Sequence, residues 1–341
     1  MAARTTLSDV AREAGVSLAT ASRAINGSAN RSVRPELAAR VLAAAEKLSY
    51  SPDANAQAMA RGHTTTLGLI VHDIADPYFS AIAAGVVRSA TEAGLQVTLT
   101  TTQNDAGREA ELVDLMRRQR ARAVVVAGGR EIGEHGALLG DAVTAFRQEG
   151  GGVAVIGQPI DGISAVAVNN TQGSADLAAA LLDLGYRDMA VIGGPTDRLT
   201  ARDRRTGFLE ALAAQGVEIA AEDVLTCAFT WEGGYQAMTT LLERDHLPEL
   251  VFATNDVMAL GALAAAREAG KSVPRDVALA GFGDTAPLRD VTPGLTTVRI
   301  PMEYLGTKAT DLALAAPDTR EVVTVPCEVI VRDSTPARSS S

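Results

Sequence analysis

The sequence of 341 residues contains few of the side chains that form covalent crosslinks or bind metals. It has two cysteines, four histidines and one tryptophan, and aromatic residues make up 4% of the chain. Cys227 and Cys327 stand far apart in apolar segments, so they predict buried small side chains rather than a disulfide framework. The histidines are scattered along the chain, which argues against a metal site.

Long apolar segments are also missing. No run approaches the roughly 18 apolar residues of a membrane-spanning helix, and the opening MAARTTLSDV lacks the apolar stretch of a signal peptide. These absences predict a cytoplasmic protein with no membrane partner. Because 47% of the residues are hydrophobic, the chain can still bury a large core, and its length suits two or three domains.

Sequence signatures of common enzymes are absent. The chain has no G-x-G-x-x-G, no G-x-x-x-x-G-K-[ST] and no H-E-x-x-H, and no serine or cysteine lies in a nucleophile elbow. Asp73 and Asp76 could form a catalytic carboxylate pair, but capping of a loop end or lining of a pocket is the favoured interpretation. We therefore expect no catalytic residues, no metal and no cofactor.

Charge is divided unevenly along the chain. The formal net charge is -10, yet residues 1–62 carry eight Lys or Arg and five Asp or Glu, which makes this segment +3 and the remainder -13. A basic head on an acidic body predicts a polyanionic partner for the head and a different partner for the body.

The head contains three short helical patterns. In TLSDVAREAGVSLATASRAING, Thr6 and Asp9 form a capping box before an apolar stripe, and Ser17 can cap a second helix after a glycine turn. Pro35 suits the first turn of a third helix, which ends near Tyr50. Any small helical domain could show such helices, but small polar residues at the start of the second one favour a helix-turn-helix that enters the major groove of DNA.

Beyond a linker with a short helical pattern, apolar runs alternate with longer helical patterns. Such alternation predicts parallel sheets covered by helices on both faces, and the number of runs suggests two α/β lobes with a ligand cleft between them. Two late segments, 295–300 and 322–331, could return to either lobe. The runs that predict strands are 67–71, 96–100, 123–127, 153–157, 165–168, 189–193, 250–254 and 277–282.

Several longer segments carry a family resemblance. They are TLSDVAREAGVSLATASRAINGS, RVLAAAEKLSYSPDANAQAMARGHTTTLGLIVHDIADPYF, LGYRDMAVIGGP, RDRRTGFLEAL, FATNDVMALGAL and LAGFGDT. In this order they resemble the LacI family of transcriptional regulators over nearly all of residues 5–332. The resemblance implies a small all-α helix-turn-helix headpiece, a hinge helix and an α/β two-lobed effector domain like the periplasmic binding proteins. It also implies a homodimer on near-palindromic, double-stranded operator DNA.

The resemblance also places the domain boundaries. We expect the headpiece at 1–50, the hinge helix and linker at 51–64, the effector-binding and dimerisation domain at 65–332 and a polar tail at 333–341. Within the effector domain, we expect the N-lobe at about 65–163 plus 292–322 and the C-lobe at about 164–291 plus 323–332. The tail has no heptad pattern, which favours a dimer over a zipper-built tetramer.

Matching to the family assigns DNA contacts. Leu18, Ala19 and Arg23 fall where the recognition helix faces base edges, and Arg23 can read guanine through two hydrogen bonds. Met59 takes the place of an apolar wedge in the minor groove. The alternatives are a solvated side chain for Arg23, a helix-packing one for Met59 and a core aromatic for Tyr50. The positions matched to contacts along the DNA backbone are Ser17, Thr20, Ser22, Asn26 and Tyr50.

The same matching assigns an effector pocket. Trp231 offers a flat face for a ring, while Arg204 and Asn255 offer hydrogen-bond donors for oxygen atoms. An acid that many members carry in the G-[FY]-D turn is replaced by Gly283, with Asp284 one residue later. This set favours a sugar or sugar acid over a nucleobase-type ligand, although each residue could instead be structural. The remaining pocket positions are His72, Tyr78 and Phe79.

The predicted function is a cytoplasmic DNA-binding transcriptional regulator, a repressor whose operator affinity changes when the effector binds. Two alternatives belong to other classes. A solute-binding protein would have a signal peptide and no DNA-binding head. An α/β enzyme with a helical appendage would show a nucleophile, metal or cofactor motif.

Overall fold

The computed structural model of the chain describes residues 5–26, 33–51, 58, 62–316 and 318–338. The chain forms two compact units, residues 1–65 and residues 66–341, which we call the headpiece and the body. Apart from Ala58, the predicted hinge helix lies outside the described residues, and so does Met59.

Among its described residues, the headpiece contains the helices α1 (Leu7–Ala14), α2 (Leu18–Asn26) and α3 (Pro35–Lys47). The predicted capping box is present, because Thr6 Oγ1 accepts from Asp9 N at 3.4 Å and Asp9 Oδ2 accepts from Thr6 N at 3.0 Å. Gly15 ends α1 with a left-handed φ of 62°. The small core under these helices consists of Val10, Ala11, Ala14, Ala21, Val41 and Ala44.

The first lobe of the body is built on a six-stranded parallel sheet. Its strands are β1 (Thr66–Val71), β2 (Gln96–Thr101), β3 (Ala123–Ala127), β4 (Gly152–Ile156), β5 (Ser164–Val168) and β11 (Val322–Val325). They pair in the order β11–β5–β4–β3–β1–β2, and the central strands are buried on both faces. The helices of this lobe are α4 (Pro77–Glu92), α5 (Gly107–Arg118), α6 (Glu134–Gln148) and α11 (Met302–Leu314).

The second lobe contains a four-stranded parallel sheet and a short antiparallel pair. The sheet consists of β6 (Met189–Gly193), β7 (Val224–Thr226), β8 (Leu250–Ala253) and β9 (Ala278–Ala280), in the order β7–β6–β8–β9. The pair is β10 (Thr297–Arg299) with β12 (Glu328–Ile330). Its helices are α7 (Asn170–Asp183), α8 (Leu199–Ala213), α9 (Trp231–Leu242) and α10 (Asp256–Glu268).

The structure shifts three of the expected lobe boundaries and the start of the tail. Residues 292–300 were expected in the N-lobe, but β10 pairs with β12 in the second lobe. The expected tail at 333–341 begins inside the second lobe, since Ser334 and Thr335 are buried and Thr296 N donates to Ser334 Oγ at 2.8 Å.

Residues 164–168 were assigned to the C-lobe, but β5 pairs with β4 and buries Ala165 and Val166 in the first sheet. The segment 322–331 is not one strand, because Pro326, which has no N–H to donate, separates β11 in the first lobe from β12 in the second. The chain therefore passes between the lobes after β5, between β10 and α11, and between β11 and β12.

Strand β7 was not predicted at all. It has three residues, none of which is fully buried, and it lies at the edge of its sheet, so it leaves no apolar run in the sequence. Apart from β11, the other predicted strands of the two main sheets agree with the structure to within two residues at their ends.

Candidate functional site

Most DNA-binding candidates of the headpiece lie on α2 or, like Ser17, directly before it. Ser17 caps this helix, because its Oγ accepts from Thr20 N at 3.2 Å, and the two hydroxyl groups lie 2.8 Å apart. Leu18 and Ala19 are exposed, and Leu18 leaves 52% of its surface in contact with solvent. An exposed apolar side chain at the start of a polar helix is available to a partner, as a base-contacting role requires.

Arg23 and the polar residues that follow it are arranged along the same helix. The Nε of Arg23 donates to Ala19 O at 2.9 Å, which anchors the guanidinium close to the helix start. Asn26 Nδ2 donates to Ser22 Oγ at 3.2 Å, so these two side chains hold each other in position on the helix. Tyr50 is half-buried and packs against the headpiece core, which agrees with the alternative interpretation of this residue as a core aromatic.

The effector candidates of the body surround a cleft of about 400 Å³ that is lined by both lobes. The first lobe supplies the loop after β1 and the start of α4. The second lobe supplies side chains from the amino ends of α9 and α10 and from the buried face of α8. Six predicted residues line this cleft: His72, Tyr78, Phe79, Arg204, Trp231 and Asn255.

Arg204 is held in position by neighbours from three segments of the second lobe. Its Nε donates to Asn170 Oδ1 and its Nη1 donates to Thr254 O, both at 2.8 Å. Its guanidinium carbon lies 4.0 Å from the centroid of the Phe282 ring. Burial lowers the pKa of Arg204, but an arginine stays charged at neutral pH, so a fixed cation faces the cleft.

Two aromatic residues enter the cleft at the start of α4. Asp76 caps this helix by accepting from Tyr78 N at 2.9 Å, and the rings of Tyr78 and Phe79 meet edge to face at 5.0 Å. Burial raises the pKa of Tyr78 to about 12, so its hydroxyl group remains protonated and can donate a hydrogen bond. Burial also raises the pKa of Asp76.

The opposite wall is formed by two helix starts. Trp231 is the first residue of α9, it stacks on Tyr235 at 5.3 Å, and it is 39% exposed, so it is not a core residue. Asn255 caps α10, since its Oδ1 accepts from Met258 N at 2.7 Å. The amide NH₂ of Asn255 is therefore the group that it can offer to a ligand.

Asp284 does not line the cleft, contrary to expectation. It has a left-handed φ of 57°, and its carboxylate accepts from Arg299 Nε at 2.7 Å and from Arg332 Nη2 at 2.5 Å. Although burial acts to raise the pKa of Asp284, the bonds from Arg332 and Arg299 lower it. The carboxylate of Asp284 is thus bound to two arginines, while its neighbours Gly283 and Thr285 line the cleft.

Asp256 is a cleft residue that sequence reasoning missed. Its carboxylate accepts from Thr285 N and from Thr297 Oγ1, both at 2.8 Å. Burial raises its pKa to about 6, against the opposing effect of these hydrogen bonds. It follows Asn255 directly at the end of a buried strand, and an acid in that place was a signal that could have identified it.

Comparisons with known proteins find matches for both the headpiece and the body. Residues 6–53 match the family described as bacterial regulatory proteins, lacI family, and residues 178–335 match a periplasmic binding protein-like domain. The HTH-type transcriptional regulator GalR of Escherichia coli (strain K12) is 35% identical over 347 residues, which cover 98% of each chain. The chain belongs to the lacI family of bacterial regulatory proteins.

Other proteins extend this similarity. The HTH-type transcriptional repressor PurR of Pectobacterium carotovorum subsp. carotovorum (strain PC1) is 33% identical over 89% of this chain and 88% of its own. A solved complex of the transcriptional regulator CelR with cellobiose matches with a TM-score of 0.70 and 29% identity, over 97% of this chain and all of that one. A lac repressor dimer bound to operator and the anti-inducer ONPF has a TM-score of 0.84 at 24% identity, over 98% of this chain and all of that one, which supports the fold alone.

Membership of the lacI family makes the chain a DNA-binding transcriptional regulator and not an enzyme. The part of the chain that the structure describes holds no group of three or more His, Cys, Asp or Glu placed to bind a metal. Among the described helices, none combines the length and the apolar character needed to cross a membrane.

Proposed function

We propose that this lacI-family chain is a cytoplasmic repressor that binds near-palindromic operator DNA as a homodimer. In this proposal, a sugar or sugar acid binds in the cleft of the body and changes the affinity of the headpiece for DNA. Because the two binding events are linked, operator DNA changes the affinity for the effector by the same factor.

The chemistry of α2 supports the assignment of its residues to DNA. Arg23 carries donors that suit the two acceptors of guanine, and Leu18 can contact a thymine methyl group. Ser17 and Thr20 place hydroxyl groups at a helix start, where backbone phosphates bind favourably. The +3 charge of residues 1–62 favours the same partner.

The groups around the cleft support an oxygen-rich effector. Arg204, Tyr78 and the Asn255 amide can donate, while the carboxylates of Asp76 and Asp256 can accept from hydroxyl groups. Trp231 supplies a flat face for the C–H side of a sugar ring. The relative solved with cellobiose is similar to this chain along its whole length, which favours a carbohydrate.

The homodimer is supported by apolar side chains on the first lobe. Strand β2 lies at the edge of the six-stranded sheet, and Leu99 on this strand is 38% exposed. Val87 on the neighbouring helix α4 is 46% exposed. An uncovered sheet edge with apolar side chains beside it is a surface that a second copy can cover.

Calorimetry on the full chain tests the effector assignment. We expect saturable binding of one sugar or sugar acid from a panel of neutral sugars, sugar acids, sugar phosphates and purines. Trp231→Ala should weaken that binding at least tenfold, because the ring face is lost. Tyr304→Ala, which removes an exposed aromatic residue outside the cleft, is the matched control and should leave the affinity unchanged. Saturable binding of purines alone would overturn the sugar assignment in favour of a nucleobase-type ligand.

A further inference from the structure

A cluster of buried charged side chains joins the two lobes beside the cleft. Arg198 precedes α8 in the second lobe, while His72, Glu109 and Glu131 belong to the first lobe. Arg198 Nη1 lies 2.6 Å from His72 Nδ1, and Arg198 Nη2 lies 3.1 Å from Glu131 Oε1. His72, Glu109 and Arg198 are each at most 7% exposed, so these contacts are shielded from water.

The backbone brings the lobes together at the same place. Glu131 and Arg198 form an antiparallel bridge, Ile132 N donates to Asp197 O at 2.9 Å, and Leu199 N donates to Arg130 O at 2.9 Å. This contact is separate from the three places where the chain passes between the lobes. It therefore adds a non-covalent connection between the lobes.

Gly129 makes the close approach of the lobes possible. A Cβ atom at this position would lie 2.3 Å from Thr200 Oγ1, well inside the contact distance. From the other side, Gln158 Nε2 donates to Thr200 Oγ1 and to Asp203 Oδ2, both at 3.2 Å. The two surfaces therefore fit each other closely around Arg198.

Hydrogen-bond chemistry determines the protonation state of His72. A guanidinium group only donates, so His72 Nδ1 must accept from Arg198. The ring proton is then on Nε2, which donates to Glu109 Oε1 at 2.9 Å. The link to Arg198 thus exists only with a neutral imidazole, and a proton on Nδ1 would place two donors face to face.

The surroundings of His72 combine charges of both signs. Glu109 approaches from α5, Arg198 from the second lobe and Asp76 from the turn before α4. Glu109 is also attracted electrostatically to Arg130. Protonation of His72 would strengthen its attraction to Glu109 and Asp76, and it would replace the bond to Arg198 by repulsion.

We propose that Arg198, His72, Glu109 and Glu131 form a latch that holds the two lobes together in the absence of effector, and that protonation of His72 releases it. Arg198 is then a positioning residue, because its two terminal nitrogens bind His72 and Glu131 of the first lobe. The latch sets how often the empty cleft opens, and so it limits the entry of the effector.

Distances between the lobes test this proposal in the full chain without ligand or DNA. Spin labels are attached at Asp141→Cys on α6 and Gln236→Cys on α9, after Cys227→Ala and Cys327→Ala. Pulsed electron resonance is recorded at about pH 8 and about pH 5.5, since histidine is the side chain that ordinarily changes its charge between such values. We expect one distance at the higher pH and a second, longer distance at the lower pH.

Substitutions of latch residues distinguish release of the latch from other changes in lobe distance that acid could cause. Glutamine has an acceptor and a donor but does not titrate, so His72→Gln should show the short distance at both pH values. Arg198→Met should show the long distance at both, and Glu131→Gln should show part of it at the higher pH if the first variant fails to fold. The proposal is overturned if the wild-type distances do not respond to pH, or if the response persists in His72→Gln.

Discussion

The guanidinium carbon of Arg204 lies 4.0 Å from the centroid of the Phe282 ring, at the wall of the cleft. The ring covers one face of the cation, and Asn170 and the carbonyl of Thr254 take its Nε and Nη1. A ligand in the cleft can therefore reach Arg204 along one edge only. This arrangement makes Arg204 a directional donor with a fixed orientation, and not a diffuse positive charge.

Replacement of Arg204 by lysine should not preserve effector binding. An ammonium group cannot satisfy Asn170 and Thr254 and also donate into the cleft in the planar geometry of a guanidinium. Hydrogen bonds to charged groups contribute about 1.5–3 kcal/mol each, so we expect affinity to fall roughly 10- to 100-fold. Calorimetry with the ligand found in the panel measures this effect. Arg202→Lys, on the exposed face of the same helix, is the matched control, and equal losses in both variants would refute a specific role for Arg204.

The buried carboxyl of Asp256 should make stability depend on pH. Burial raises its pKa from 3.8 to about 6, so the folded protein holds this proton more tightly than the unfolded chain does. The free energy of unfolding should then decrease as pH rises through the interval between these two values. One pKa unit corresponds to about 1.4 kcal/mol, which gives a total of about 3 kcal/mol.

Asp256→Asn isolates this contribution from that of the other acids. The asparagine can still accept one of the two hydrogen bonds and does not titrate. Urea unfolding at a series of pH values should show the wild type losing about 3 kcal/mol more than the variant between pH 4 and 7. Parallel pH profiles for the two proteins would show that Asp256 titrates normally in the folded body.

Arg23 should determine the base preference at one symmetric pair of operator positions. Arg23→Ala should cost about 1–3 kcal/mol per half-site and relax the preference at that pair. Selection of bound sequences from a random DNA library measures the preference at each position. Arg12→Ala, an exposed arginine of α1 paired with Asp9, should leave every preference unchanged. If Arg23→Ala selects the wild-type sequence, Arg23 is only a solvated surface residue.

Met59 should act as an apolar wedge in the minor groove. Met59→Gly should abolish most specific affinity and leave weak binding that decreases steeply with salt, because phosphate contacts remain. Ala60→Gly adds a glycine at the neighbouring position without removing the wedge, so it should retain most of the specific affinity. Titration of labelled operator at several salt concentrations distinguishes the two. Similar losses in both variants would point to helix stability instead.

The features that could be predicted from the sequence are those set by local chemistry. The Thr6–Asp9 capping box and the buried strands depend on neighbours in sequence or on simple burial, and the structure confirms them. The pocket residues were placed by the family resemblance and not by local chemistry, and the structure brings six of them to one cleft. The edge strand β7 was not predicted, because its two half-buried residues and one exposed residue give no apolar run in the sequence.

Long-range pairing accounts for what could not be predicted. Asp284 turns away from the cleft because Arg332, 48 residues later, binds its carboxylate. Arg198 meets His72 across 126 residues of sequence, and neither residue indicates the other. Contacts of this kind depend on how two sheets meet, and this information is absent from periodicity and composition.

Operator binding measured with and without the cleft ligand tests the central claim most directly. Fluorescence anisotropy with the selected operator should show tight binding whose affinity changes at least tenfold when the sugar or sugar acid saturates the cleft. Arg204→Ala should keep the operator affinity and lose the response, while Arg23→Ala should lose operator affinity and still bind the sugar. An operator affinity that no cleft ligand alters, or a response that survives in Arg204→Ala, would contradict the account.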